Sequence, residues 1–146
     1  YPKEKVIAFI TSWADERRKK NAEEKKTSDI AKIAFEQDLK DSLDNVDQVK
    51  NLDYKAVYIE EKGKLIGFCI FFHSHNNFWI ALMQKTVIGM RGLPQYLYHL
   101  KAKEMGKGNI FTTGTEADDE HLRRFKEELQ PTKKKKMYKI QVGEKL

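Results

Sequence analysis

Cys69 is the chain's only cysteine, which excludes an intramolecular disulfide and any zinc or iron–sulfur site built on cysteines, and fits a reducing, cytoplasmic setting. Long hydrophobic runs are missing too: nothing approaches the roughly 20 apolar residues of a membrane-spanning helix. The opening YPKEKVIAF has neither an initiator methionine nor the apolar core of a secretion signal, which leaves open that the sequence is a fragment of a longer protein. No H-E-x-x-H helix and no Ser-His-Asp order is present, so zinc-protease and triad chemistry have no motif here.

What is present suits one domain with one core: 146 residues, 40% of them hydrophobic. A charged fraction of 34% and a mean hydropathy of -0.72 describe a heavily solvated surface. Net charge is uneven along the chain. Residues 1–73 carry 14 basic and 14 acidic side chains, whereas residues 74–146 carry 14 and 8, so the second half supplies the whole +6. Such asymmetry steers a phosphate-bearing partner, whether a nucleotide cofactor, an RNA or an anionic lipid; a merely solvated lysine-rich surface is the alternative.

Apolar spacing predicts the elements. Val6, Ile7, Ile10 and Trp13 recur at helical intervals and predict a helix over 4–20. Thr27, Ser28 and Asp29 provide N-cap chemistry for a second helix, with Ile30, Ile33, Ala34, Phe35, Leu39, Leu43 and Val46 as a broad apolar stripe. After a polar link (DQVKNLD), the β-branched and aromatic runs YKAVYIE and LIGFCIFF predict a hairpin turning at Gly63, and the SHNN cluster returns the chain as a third strand over 78–87. A glycine turn, GMRGLP, then leads into a helix with Pro94 near its start and Gly106 as its C-cap; Leu93, Leu97 and Leu100, with Tyr96 as an addition, face the sheet. A strand over 109–113 follows, making a parallel crossover with the third strand. A helix over 118–129 and a last strand, MYKIQV, complete the chain.

Strand, glycine turn and helix together make a place where backbone N–H groups face an anion. Arg91 and Lys85 are the candidate phosphate contacts beside Gly89 and Gly92. Arg123 and Lys126, three apart on the later helix, share a face that could hold a phosphate, with pairing to Asp119, Glu120 or Glu127 as the alternative. The lysine run 133–136 suits RNA or an anionic membrane surface, or the protection of a strand edge. His73 and His75 stand two apart at a strand end without a third metal-type ligand nearby, His99 lies in the helix after the turn, and Cys69 is expected to be a buried, inert thiol.

The order helix, helix, three antiparallel strands, helix, strand, helix, strand resembles the GNAT acyltransferase fold: α+β, with a mixed central sheet and helices on both faces. The second half is also similar to the C-terminal half of the phosphatidylglycerol lysyltransferase-like family, related to the Fem aminoacyltransferases. The residues that carry this likeness are Lys85-Thr86, Gly92 with Tyr96, Glu116, Leu122-Arg123-Arg124 with Lys126, Pro131 and Tyr138; Trp13 also fits. The resemblance implies a ligand where the central strands splay, an acyl or aminoacyl transfer from acyl-CoA or aminoacyl-tRNA to an amine or hydroxyl, and Glu116 as general base, with capping of the next helix as its alternative. It also implies a tandem pair of which this chain is the second unit, and hence a companion GNAT-like domain or a homodimer partner, and a membrane-peripheral location beside the cytoplasmic one. A non-catalytic GNAT-like module is the alternative. The pyrophosphate loop of the GNAT fold, R/Q-x-x-G-x-G/A, is not matched: with Gly89 first, Thr86 and Arg91 fall on the other two positions, and with Gly92 first, Gly89 and Pro94 do.

Overall fold

A computed structural model describes residues 1–23 and 28–112, and Tyr1–Thr112 form one compact unit. The expected helix over 118–129, the MYKIQV strand, Thr27, Glu116, Arg123, Lys126, Pro131, Tyr138 and the run 133–136 lie outside the described residues.

Two helices come first, α1 (Lys3–Glu23) and α2 (Asp29–Val46), and Ser28 caps the second by accepting the Ala31 N–H at 3.1 Å through its hydroxyl. The link that follows is not irregular: Val49–Asn51 make a 3-10 turn, and Val49 is fully buried. Strands β1 (Tyr54–Glu61), β2 (Lys64–His75) and β3 (Phe78–Thr86) form an antiparallel meander. The first hairpin turns on Lys62 and Gly63, both at positive φ (51° and 78°), which is the two-residue geometry that matches strand twist. After α3 (Leu93–Met105), the short strand β4 (Ile110–Phe111) lies parallel to β3, in the order β1-β2-β3-β4. The α+β class, the mixed sheet and the parallel crossover are therefore as expected, and α1 to β4 follow the GNAT-like order.

The sheet is covered on both faces because β2 alternates two apolar sets. Phe68 and Ile70 join Val6, Phe9, Ile10 and Leu39 of the first two helices, whereas Cys69 and Phe71 join Leu97 and Met105 of α3. Phe68 is fully buried and meets Phe9 edge-on at 5.4 Å. A β-bulge interrupts the β2–β3 ladder, where Ile70 pairs with Met83 but Phe71 with Ala81, leaving Leu82 as the extra residue. The alternation of β3 slips there by one. Trp79 and Ala81 pack with the α3 side, but Met83 and Lys85 turn to the α1/α2 side, while Gln84 takes the α3 side.

Three expectations about burial are corrected. In α1, Phe9 rather than Ile7 is in the core; Ile7 is 36% exposed. In α2 the broad stripe is not buried, since Ile30 and Ile33 are 81% and 70% exposed and only the half of the helix holding Phe35, Leu39 and Val46 reaches the core. In α3, Tyr96 is 51% exposed and Tyr98 is buried. Phe68→Ala should lower the unfolding free energy by about 3–5 kcal/mol, and Ile33→Ala should stay within about 0.5 kcal/mol of the parent, both read from urea titration.

Candidate functional site

The turn between β3 and α3 builds the site. It is anchored where the Val87 N–H donates to the Ile66 carbonyl at 2.8 Å, and it closes where Leu93 N–H reaches the Met90 carbonyl at 3.3 Å and Tyr96 N–H the Gly92 carbonyl at 3.0 Å. Gly89 and Gly92 both take left-handed φ, 86° and 81°, which a Cβ disfavours. Gly92 is the N-cap of α3 and Pro94 lies in its first turn, where a missing N–H leaves no helical bond broken. Among the described residues, no backbone carbonyl accepts from the amides of Gly89, Met90, Arg91 and Gly92. These donors lie at the positive end of the α3 dipole.

An open cleft of about 580 Å³ runs along this turn, lined by 86–92, Pro94 and Gln95 on one side and by Trp13 and Arg17 of α1 on the other. Among the described residues, its lining holds two guanidinium groups, Arg17 and Arg91, and no carboxylate. Neither arginine makes an ion pair among the described residues, although Arg18 next door is fully engaged: its fork donates to both Glu36 oxygens at 3.0 Å and holds that carboxyl below its usual range. Two uncompensated cations beside free amides make the cleft a place for an anion.

The sequence candidates separate on the structure. Gly89, Arg91 and Gly92 meet in the cleft. Tyr96, 51% exposed, shares with Arg91 and Gly92 a second, smaller hollow of about 340 Å³ that Ile59, Ile66, Met90 and Leu93 also line, and it stacks on His99. Lys85 points behind the cleft wall, ion-paired with Asp38 and 4.4 Å from the Trp13 ring centroid. Glu116, Arg123 and Lys126 lie outside the described residues. His73 and His75, now within β2, have separate local partners: His73 contacts Asp53 and stacks on Trp79, while His75 meets Ser74 and Phe78. No group of three metal-type ligands occurs among the described residues.

Two features are not among the sequence candidates. Arg17 is one helical turn beyond Trp13, a spacing that puts both on one face and was readable. Lys101 is fully buried on the α3 side, its ammonium donating to Gln84 Oε1 and lying 3.7 Å from the Tyr98 ring centroid, with Phe71 and Phe111 within 5.7 Å. It occupies the stripe Leu93, Leu97, Lys101, Met105, every fourth residue, so a charge on an apolar face was the available signal. The ring quadrupoles and the amide oxygen offset the cost of burying this charge and join α3 to β3 and β4.

No family model and no curated protein matches the chain. Among solved structures, a Deinococcus radiodurans R1 protein assigned as an acetyltransferase is similar at 19% identity and a TM-score of 0.48, over 58% of this chain and 59% of its own. The match thus spans less than two thirds of that protein. Ribosomal-protein-alanine N-acetyltransferase from Brucella melitensis biovar Abortus 2308 is similar at 17% identity, TM-score 0.46, over 62% of this chain and 71% of its own. An aminoglycoside N-acetyltransferase in complex with CoA is similar at 14% identity, TM-score 0.48, over 68% of this chain and 86% of its own.

The backbone at Gly92 and the thiol of Cys69 each give a measurable consequence. A Cβ at Gly92 would meet nothing within 4 Å, so Gly92→Ala should cost only backbone strain, about 1–2 kcal/mol in urea titration. Burial pushes the Cys69 thiol up to about 12 from its ordinary 9.0, the nearby Lys101 charge opposing. Its ionisation therefore favours the unfolded chain: its contribution to stability is whole below pH 9.0 and declines between there and about 12. At pH 8 a thiol reagent should label the folded protein only as fast as it opens, and label one thiol at once in denaturant.

Proposed function

We propose that the chain is a GNAT-like acyl or aminoacyl transferase whose cleft holds the phosphate of its donor. The observation that carries this is the pairing of Arg17 and Arg91 across a cleft that, among the described residues, has no carboxylate, beside amides at the start of α3 that no described backbone carbonyl accepts from. Acyl-CoA and aminoacyl-tRNA both join phosphate to an activated acyl carbon, at the far end of the pantetheine arm in CoA and on the terminal ribose in tRNA. An acceptor amine or hydroxyl attacks that carbonyl, the tetrahedral intermediate collapses, and the CoA thiolate or the ribose oxygen leaves and takes up the proton that the acceptor loses. The chain's part is chiefly to hold donor and acceptor together. Glu116 is the proposed base and Arg123 and Lys126 are proposed further phosphate contacts.

The finer reading, a lysyltransferase-like unit that takes an aminoacyl group from tRNA, rests on the residues from Lys85 to Tyr138 set out above. With it go the proposals of one GNAT-like domain over 1–146, a companion domain or homodimer, and an anionic membrane surface at 133–136. A non-catalytic module is the second reading. It is favoured by the departure from the pyrophosphate pattern, where Arg91 or Pro94 replaces a small residue, and by the engagement of Lys85 with Asp38.

Thermal unfolding with CoA, acyl-CoA and charged tRNA separates the readings. A donor at 100 times its dissociation constant should stabilise the fold by about 2.7 kcal/mol. Arg17→Ala with Arg91→Ala should remove most of that shift. No shift with any donor would leave the module as the reading.

A further inference from the structure

The cleft contains one group that a bare phosphate site does not need, an indole. Trp13 is half-buried on the cleft wall and is held by two neighbours outside the lining: Phe35 packs on it at 5.4 Å, and the Lys85 ammonium, anchored by Asp38, sits 4.4 Å from its ring centroid. The ring is therefore held in place before any ligand arrives, at little further entropic cost on binding. Arg17 follows it by four residues on the same helical face, and Arg91 stands on the turn across the cleft. An aromatic wall flanked by two cations suits a ligand that joins a planar ring to phosphate. Base–aromatic stacking tolerates any base, and the phosphate supplies the charge.

We infer that the cleft takes the nucleotide end of the donor, with the base against Trp13 and the phosphate between Arg17 and Arg91. The inference rests on the phosphate-donor reading and adds which part of the donor α1 recognises. CoA and the 3′ end of a tRNA both present a nucleotide, so the chemistry is shared and the probes must separate the sources.

Isothermal titration of the full chain with inorganic pyrophosphate, ADP, CoA and an RNA trinucleotide ending in CCA provides the test. ADP should bind at least about ten-fold more tightly than pyrophosphate, the margin expected of one stacked base. Trp13→Leu should remove that margin while changing pyrophosphate affinity less than about two-fold, and Trp13→Phe should keep most of it. In Trp79→Phe, where Trp13 is the sole tryptophan, ADP should quench the emission. CoA binding more tightly than the trinucleotide, or the reverse, assigns the source, and either supports the inference. ADP no tighter than pyrophosphate, equal loss of both ligands in Trp13→Leu, or unchanged emission at ADP saturation overturns it while leaving the phosphate site standing. Failure of pyrophosphate and ADP alike overturns the phosphate-donor reading as well.

Discussion

Burial of β2 on both faces is the constraint on which the rest depends. Phe68, Cys69, Ile70 and Phe71 are each fully buried in succession, and a strand can satisfy that only with a helical layer on either side. The first two helices cover one face and α3 the other, so the chain must pass from one side of the sheet to the other after β3. The glycine turn makes that passage. Its left-handed residues, its free amides and its place beside α1 all follow from the need to start α3 across the sheet from where α1 and α2 lie.

Charge is distributed around this frame by pairing. Arg18, Lys85 and Lys101 each have a partner, in Glu36, Asp38 and Gln84. Arg17 and Arg91 face the cleft without one among the described residues. Since surface ion pairs contribute little to stability, the consequence of this pattern is where the unneutralised charge collects rather than how firmly the helices hold. Two such charges, Arg17 and Arg91, lie at the turn, next to the positive end of α3.

The β-bulge at Leu82 links the core to the site. Without it, the period of β3 would carry Lys85 to the same face as Trp79 and Ala81, toward α3. With it, Lys85 backs Trp13 on the α1 side, and Gln84 reaches Lys101. One extra residue thus decides which of two neighbouring polar side chains supports the cleft wall and which supports the buried lysine.

Much of this was legible in the residues themselves. Ser28 as a cap, Lys62-Gly63 as a hairpin, Pro94 and Gly106 as the ends of α3, and the shift from helical to alternating spacing are local signals, set by backbone geometry over a few residues. They gave the element order from α1 to β4, the antiparallel meander, the parallel crossover and the position of the turn. What the residues did not decide was which side each chain segment presents. Ile30 and Ile33 have the spacing of a core stripe yet extend past the sheet, and Lys101 has the charge of a surface residue yet lies under aromatic rings. Trp13 and Arg17 meet a turn some seventy residues away, with Lys85 behind them, only because α1 packs on one face of β2 and the bulge re-aims β3. Local conformation follows from short-range sterics and hydrogen bonding, whereas the cleft exists through contacts between distant segments, which tertiary packing alone brings together.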